Sequence, residues 1–132
     1  MSWKLMMGRT KVEKRIRVCR LDPAGGGSFP LIDNTGPGLH DAVGGYAETF
    51  TLPGYIQVAG LLGVCDEDGY RRELPLNVYS PLLGQQIVGP VLIMRSKPPE
   101  FVSLTDEDVD VLQRYFGQLA AVITVVPTEA KP

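Results

Sequence analysis

The chain has 132 residues, of which 44% are hydrophobic and 21% charged, and its formal net charge is −2. This length favours one domain and excludes barrel folds of roughly 250 residues, while the hydrophobic fraction suffices for a buried core and argues against a disordered chain. The 15 glycines and 11 prolines exclude a bundle of long helices and indicate short elements joined by many turns.

The first predicted element is a basic leader at residues 1–13. Residues 1–22 carry seven bases and two acids, whereas the rest of the chain carries six bases and 13 acids. Such an arm can contact a phosphate backbone, although alternating charges on an edge strand give the same pattern. The sequence predicts no secretory signal and no membrane span. Without an export signal, Cys19 and Cys65 are expected to be free thiols in a reducing cytoplasm.

The next part of the chain reads as short strands and one short helix. Alternating polar and apolar residues, punctuated by glycine and proline, predict a strand at 14–21, an edge strand at 29–33, a helix at 38–43 and a strand at 46–52. Pro37 suits the first turn of the helix, and Gly44-Gly45 is typical of its end.

The second half contains the strongest local signals. It predicts a strand at 55–65 with a bend at Gly60 or Gly63, an Asp-Gly hairpin loop at 66–69, a central strand at 87–94 and a helix at 106–116. Thr105 and Asp108 have the spacing of a capping box at the start of that helix. For residues 77–84, the sequence does not decide between a helical turn and a loop. Residues 118–132 are an apolar extension and short tail, in which 118–126 are open between helix and strand.

Together these elements predict a single α+β domain at residues 14–117. Runs of strands with short loops, without regular alternation of strand and helix, indicate a mostly antiparallel sheet of five or six strands. One short helix and one capped helix accompany it.

Two loops invite a ligand-binding interpretation, and each lacks part of the pattern. The glycine-rich segment 22–28 has no Gly-Lys-Ser/Thr ending and precedes a strand, so a flexible turn explains it more simply than a phosphate loop does. Asp66-Glu67-Asp68-Gly69 lacks the spacing of a calcium loop, which favours a solvated hairpin tip.

The single histidine, His40, is the remaining candidate for catalysis. A nucleophilic pair with Cys19 or Cys65 is conceivable, but both cysteines lie in predicted strands and have the character of small core residues. Two cysteines 46 residues apart and one histidine do not form a four-ligand metal site. We therefore predict no catalytic residue, no metal and no cofactor.

Three segments resemble one known family in order and spacing. Residues 39–48 resemble its helix, Gly-Gly and strand; residues 64–77 are similar to its hairpin and Leu-Pro-x-Asn element; residues 87–108 are similar to its late strand and capped helix. The family is the domain of unknown function 3846 family, and the resemblance covers about residues 14–117. One departure is Val78, since the family usually has a basic residue after this asparagine.

The resemblance implies a genetic context and a set of candidate binding residues, but no activity and no catalytic residue. Members of the family are typical of bacteriophages, plasmids and conjugative elements, beside accessory and anti-restriction genes. The best-matched places for a ligand or partner are Gly44, Gly45, Tyr46, Glu48, Asp66, Asp68, Tyr70 and Asn77.

The first hypothesis is a small non-enzymatic accessory protein of a bacteriophage or mobile genetic element, in the cytoplasm of the bacterial host. It would bind a host protein or sequester a small ligand, with counter-defence as its role. The alternatives are a small nucleotide-acting enzyme that uses His40, Glu48 and Asp66, and a nucleic-acid-binding protein that uses the basic leader. A homo-oligomer through residues 29–32 or 121–126 is compatible with all three.

Overall fold

The structure is a computed structural model that describes residues 13–54, 56 and 58–117. The predictions for residues 1–12 and 118–132 lie outside the described residues. The elements of the described part follow in the order β1 (Arg15–Arg17), β2 (Cys19–Leu21), β3 (Gly27–Ser28), β4 (Leu31–Asp33), α1 (Gly36–Val43), β5 (Ala47–Phe50), β6 (Leu61–Asp66), α2 (Ser80–Leu83), β7 (Val91–Lys97), β8 (Glu100–Val102) and α3 (Asp106–Phe116).

A six-stranded antiparallel sheet forms the middle of this α+β domain, as predicted. Its order is β3-β2-β7-β6-β5, and β8 also pairs with β7. Strand β7 therefore has β6 on one side and both β2 and β8 on the other, which confirms that the most apolar run of the sequence is central. Strands β1 and β4 form a separate two-stranded sheet, and β5 lies at the end of the main sheet.

Each face of the main sheet carries its own hydrophobic cluster. Helices α2 and α3 cover one face, where Cys19, Leu21, Cys65, Ile93, Leu112 and Phe116 are buried. Helix α1, β1 and β4 cover the other, where Ile16, Val18, Val43, Val64, Leu92 and Met94 are buried. Neighbouring residues of β6 and β7 thus point to opposite clusters, as the period of two requires.

The predicted strand at 14–21 is divided into β1 and β2, which belong to different sheets. Val18 lies between them, and its N–H donates to the Pro30 carbonyl oxygen over 3.0 Å. The physical reason is that the alternation of buried and exposed side chains shifts by one residue here. Val18 and Cys19 are both fully buried, but in different clusters. Two consecutive buried residues require the chain to pass from one layer to the next.

The prediction of a hairpin at 66–69 is wrong. Turns follow Asp66 up to Glu73, and the strands paired with β6 are β5 and β7. The predicted strand at 55–65 begins only at Leu61, after Gly60 with a φ of 92°, and residues 55 and 57 lie outside the described residues. Similarly, the predicted central strand at 87–94 begins only at Val91, after Gly89 with a φ of 80°. Residues 80–83 form the helical turn that the sequence left open.

Both predicted helices are confirmed. Thr35 caps α1 by accepting a hydrogen bond from the Gly38 N–H, and Gly44 ends the helix with a φ of 83°. Helix α3 spans residues 106–116 as predicted, with both hydrogen bonds of the Thr105–Asp108 capping box present. These two helices fix the positions of the loops on either side of the sheet.

Candidate functional site

Strand β5 is an open edge of the main sheet. Among the described residues, it is paired with β6 alone, and Ala47, Glu48 and Thr49 are exposed. The Glu67 N–H donates to the Tyr46 carbonyl oxygen, which sets the phase of the antiparallel ladder. Ala47 and Thr49 therefore direct their backbone N–H and C=O groups away from β6. These groups are available to another extended segment.

An apolar cavity of about 550 Å³, here called the α1 cleft, lies beside this edge between α1 and the start of β5. The Tyr46 side chain stands at its border with 69% of the residue exposed. Its ring meets the His40 ring edge-on, with 5.2 Å between the ring centres. The residues that line the cleft include Pro37, Leu39, His40, Asp41, Tyr46 and Ala47.

A smaller cavity of about 200 Å³, here called the acidic pocket, lies on the opposite face of β5. Glu48 points to the α3 side, because its cross-strand neighbour Cys65 belongs to that cluster, and Phe50 packs against the same cluster. Glu67 and Tyr70 are exposed at the pocket, and the Tyr70 hydroxyl donates to the Gln86 carbonyl oxygen over 3.2 Å. The edge is therefore flanked by an apolar cavity and an acidic one.

The Gly-Gly pair and the acidic loop, which the sequence singled out separately, meet around one ion pair. The Asp66 side chain is fully buried and bonds to the Arg72 guanidinium, which also donates to the Gly44 carbonyl oxygen over 2.7 Å. The other Asp66 oxygen accepts from the Asp68 N–H over 2.8 Å. This network fixes the loop that borders the acidic pocket.

Gly45 is required by the same network. A Cβ atom at this position would lie 2.6 Å from both carboxylate oxygens of Asp66, nearer than side chains approach. Gly44 has a different role, since it occupies the left-handed region in open space. The two glycines thus hold the junction of α1 and β5 against the acidic loop, where their backbone positions the edge strand.

Asn77 lies apart from the other predicted site residues and is fully buried. Its amide nitrogen donates to the carbonyl oxygens of Leu21 and Gly89, and its oxygen accepts from the Tyr79 N–H over 2.9 Å. The side chain therefore ties together backbone from β2, the segment before β7 and the approach to α2. Its position joins it to neither cavity beside β5.

Neither cysteine has the surroundings of a reactive nucleophile. Burial raises the pKa of the Cys19 thiol to about 12, and burial together with the nearby carboxylates of Glu48 and Asp66 raises that of Cys65 to about 11. Both thiols therefore stay protonated near neutral pH. His40 is exposed in the α1 cleft, on the other side of the sheet from the cluster that contains both cysteines.

Within the part of the chain that the structure describes, no group of three or more His, Cys, Asp or Glu side chains is placed to hold a metal ion. In the same part of the chain, no helix has the length and apolar character needed to cross a bilayer.

Three contributors to the site carry no recognisable signal in the sequence. Arg72 stood in a run of charged residues with nothing to mark its partner 28 residues earlier. Pro37 and Leu39 were assigned to a helix, but not to a cavity. The outward-facing backbone of Ala47 and Thr49 carries no side-chain signal, and only the strand order reveals it.

Comparison with known proteins identifies the family and no individual relative. Residues 16–119 match the family described as domain of unknown function (DUF3846). No curated protein and no solved structure matches the chain. The family match covers most of the 132 residues and includes every element from β2 to α3. The chain therefore belongs to the domain of unknown function 3846 family.

Proposed function

We propose that this protein is a small non-enzymatic accessory protein of a bacteriophage or mobile genetic element, acting in the cytoplasm of its bacterial host by binding a host protein. The binding surface is the open edge of β5 together with the α1 cleft and the acidic pocket. The observation that carries this proposal is the edge itself, with Ala47 and Thr49 exposed and unpaired by any described strand. The family resemblance supports the genetic setting.

An exposed sheet edge binds an extended segment of another protein through main-chain hydrogen bonds. Side chains of the added strand alternate between the two faces. On the α1 side they meet an apolar cavity, and on the other side they meet Glu48, Glu67 and Tyr70. The preferred segment therefore alternates apolar residues with basic or hydroxyl-bearing ones.

Sequestration of a small ligand is the second candidate, and the α1 cleft favours it. Its volume of about 550 Å³ lies within the range of roughly 300–1,000 Å³ that small-molecule sites occupy. The His40 ring and the Tyr46 hydroxyl supply polar groups beside apolar walls. A planar, largely apolar molecule fits this combination.

The catalytic alternative has less support. His40 lines the α1 cleft, Glu48 lines the acidic pocket on the opposite face of β5, and the Asp66 carboxylate is buried in its ion pair with Arg72. A nucleotide-acting enzyme would need these groups around one reacting atom.

Nucleic-acid binding through the basic segment also has less support in the described residues. Arg15 pairs with Asp33 over 3.5 Å, Arg17 with Asp106 over 3.0 Å, and Arg20 with Asp22 over 3.5 Å. These carboxylates offset much of the positive charge that a phosphate backbone would contact.

A matched pair of variants tests the edge directly. Thr49→Pro removes one outward-facing N–H from β5, and Thr49→Ala keeps it. In fluorescence anisotropy with labelled peptides of alternating apolar and basic sequence, we expect Thr49→Pro to weaken binding about tenfold, as loss of a hydrogen bond to an exposed edge predicts. Thr49→Ala should remain within about twofold. Equal affinity of both variants would exclude strand addition at β5.

The counter-defence role is tested in cells. A restriction-proficient bacterial host expresses the wild-type protein, Thr49→Pro or Thr49→Ala and is challenged with an unmodified phage. We expect the plating efficiency to rise with wild type and Thr49→Ala, but not with Thr49→Pro. No rise with any of the three would contradict this role.

Native mass spectrometry of the purified full chain tests the second candidate, the sequestration of a small ligand, by detecting small molecules that remain bound to the protein.

A further inference from the structure

We propose that the leader of this chain binds to its own β5 edge, with Trp3-Lys4-Leu5 as the added strand. The inference concerns the surface named under the proposed function and assigns it an internal ligand that competes with the partner. It rests on three observations: the pattern of the leader, the distance it has to cover and the charge on each side. None of them requires the host partner to exist.

The leader has the alternation that the edge selects. In an added strand, Trp3 and Leu5 point to one face and Lys4 to the other. The α1 cleft, with Leu39 and Ala47 in its wall, receives the two apolar side chains. The lysine then faces the acidic pocket.

The start of the described chain lies close to the cleft. The Glu13 carbonyl oxygen accepts a hydrogen bond from the Asn34 amide over 3.0 Å, and Asn34 N–H donates to the Lys14 carbonyl oxygen over 2.8 Å. Gly36, two residues further on, already lines the α1 cleft. An extended chain covers about 3.3 Å per residue, so the segment between Leu5 and Glu13 spans roughly 26 Å. Helix α1, along which the cleft lies, is about 12 Å long.

Charge favours the same placement. Residues 1–12 carry Lys4, Arg9 and Lys11 and no acid. The surface beside β5 carries the exposed carboxylates of Asp41, Glu48 and Glu67. Attraction between the two raises the effective concentration of the leader at the edge, which tethering to the same chain already makes high.

Trp3 is the only tryptophan of the chain, so its fluorescence reports on the leader alone. In the full-length protein we expect emission at shorter wavelength and slower acrylamide quenching than in the urea-unfolded chain. Thr49→Pro and Ala47→Lys should move both quantities towards the unfolded values, because one blocks the edge and the other fills the cleft with charge. Thr49→Ala and Val78→Lys, at an exposed residue in neither cavity, are the matched controls and should leave them unchanged.

The remaining outcomes overturn the proposal in distinct ways. Trp3 that is as accessible to acrylamide in the folded wild type as in urea would show that the leader does not bind. A wavelength shift that grows with protein concentration, together with a dimer mass by light scattering, would assign the edge to a second copy of the chain. Far-UV circular dichroism identifies any variant that has failed to fold, and Ala47→Lys and Thr49→Pro provide independent disruptions of the same surface.

The leader proposal and the proposed function fail separately. A protected Trp3 with no binding of any partner peptide would leave the leader bound and remove the host-partner function. An accessible Trp3 with peptide binding that depends on Thr49 would do the reverse. Trp3→Ser connects the two, since loss of the internal competitor should strengthen peptide binding several-fold while the far-UV circular dichroism spectrum stays unchanged.

Discussion

Strands β7 and β5 belong to one sheet and differ in almost every physical respect. Strand β7 is bonded on both sides, and its residues from Val91 to Met94 are buried. Strand β5 is bonded to β6 alone among the described strands, and its first three residues are exposed. If β5 binds a partner as we propose, stability and recognition are assigned to different parts of this sheet. Substitutions near β7 should therefore change folding, and those at β5 should change binding.

The largest effect is expected at Asp108, which joins α3 to β7. Its buried carboxylate accepts two hydrogen bonds of 2.7 Å from Arg95 and one from the Thr105 N–H. Asp108→Asn leaves the Arg95 charge without its partner and should lower the free energy of unfolding by about 3 kcal/mol. Urea unfolding measures this. Asp110→Asn, an exposed acid of the same helix, should change it by less than about 0.5 kcal/mol.

The same carboxylate predicts how stability depends on pH. Burial raises the pKa of Asp108, but hydrogen bonds from Arg95 and Thr105 outweigh it, and the pKa lies below its ordinary value. The folded state therefore binds this proton less readily than the unfolded chain does. Its stabilisation is complete above about pH 4, the ordinary value, and is lost as the pH falls through the lower folded value. Urea midpoints between pH 2 and 6 should show a smaller slope in Asp108→Asn; an unchanged slope would contradict this assignment.

A smaller effect is expected at the junction of α1 and β5. Gly45→Ala places a methyl group against the Asp66 carboxylate and Arg72 and should cost about 2 kcal/mol, within the usual range for overpacking. Gly44→Ala meets open space, so only its φ of 83° is penalised, by about 1 kcal/mol. Thermal unfolding of both variants measures which one loses more stability. Gly36→Ala, at a helical glycine in open space, is the control. Equal losses of stability in Gly44→Ala and Gly45→Ala would show that the Asp66–Arg72 pair can move away from the added methyl group without an energetic cost.

The smallest effect on stability is expected at Thr49, although it is the largest on binding. Proline is tolerated on an edge strand where its missing N–H is not part of the ladder with the neighbouring strand, so Thr49→Pro should lower the free energy of unfolding by less than about 1 kcal/mol. Ile93→Pro in β7, the matched comparison, removes a ladder hydrogen bond and should destabilise the fold far more than Thr49→Pro does. A strongly destabilised Thr49→Pro would mean that the outward-facing groups of β5 contribute to the stability of the fold and not only to binding.

Local signals predicted much of the fold. The spacing of Thr105 and Asp108 predicted where α3 begins, because a capping box needs only residues one turn apart. The apolar run before Met94 predicted a central strand, since a strand buried on both faces has no polar alternation. Gly44 predicted the end of α1 for a similarly local reason. In each case the information lies within a few residues.

Local sequence patterns predicted less of the candidate site. The Gly-Gly pair and the acidic loop were both singled out, but the ion pair between Asp66 and Arg72 that joins them was not. The chain passes through β5 and β6 between Gly44 and Asp66, and this contact depends on how those strands pair. The change of layer at Val18 also depends on neighbours far along the chain. Such contacts follow from the pairing of strands and not from any local pattern.

The sequence by itself determined the α+β class, the two capped helices and the buried character of the central strand, because propensity, capping and periodicity act over short distances. Only the tertiary structure decided that β5 is an edge, that its two faces meet an apolar cleft and an acidic pocket, and that Ala47 and Thr49 face outwards. Strand order is a property of long-range pairing, which no window of residues contains. The place that we propose for the basic leader depends on that edge.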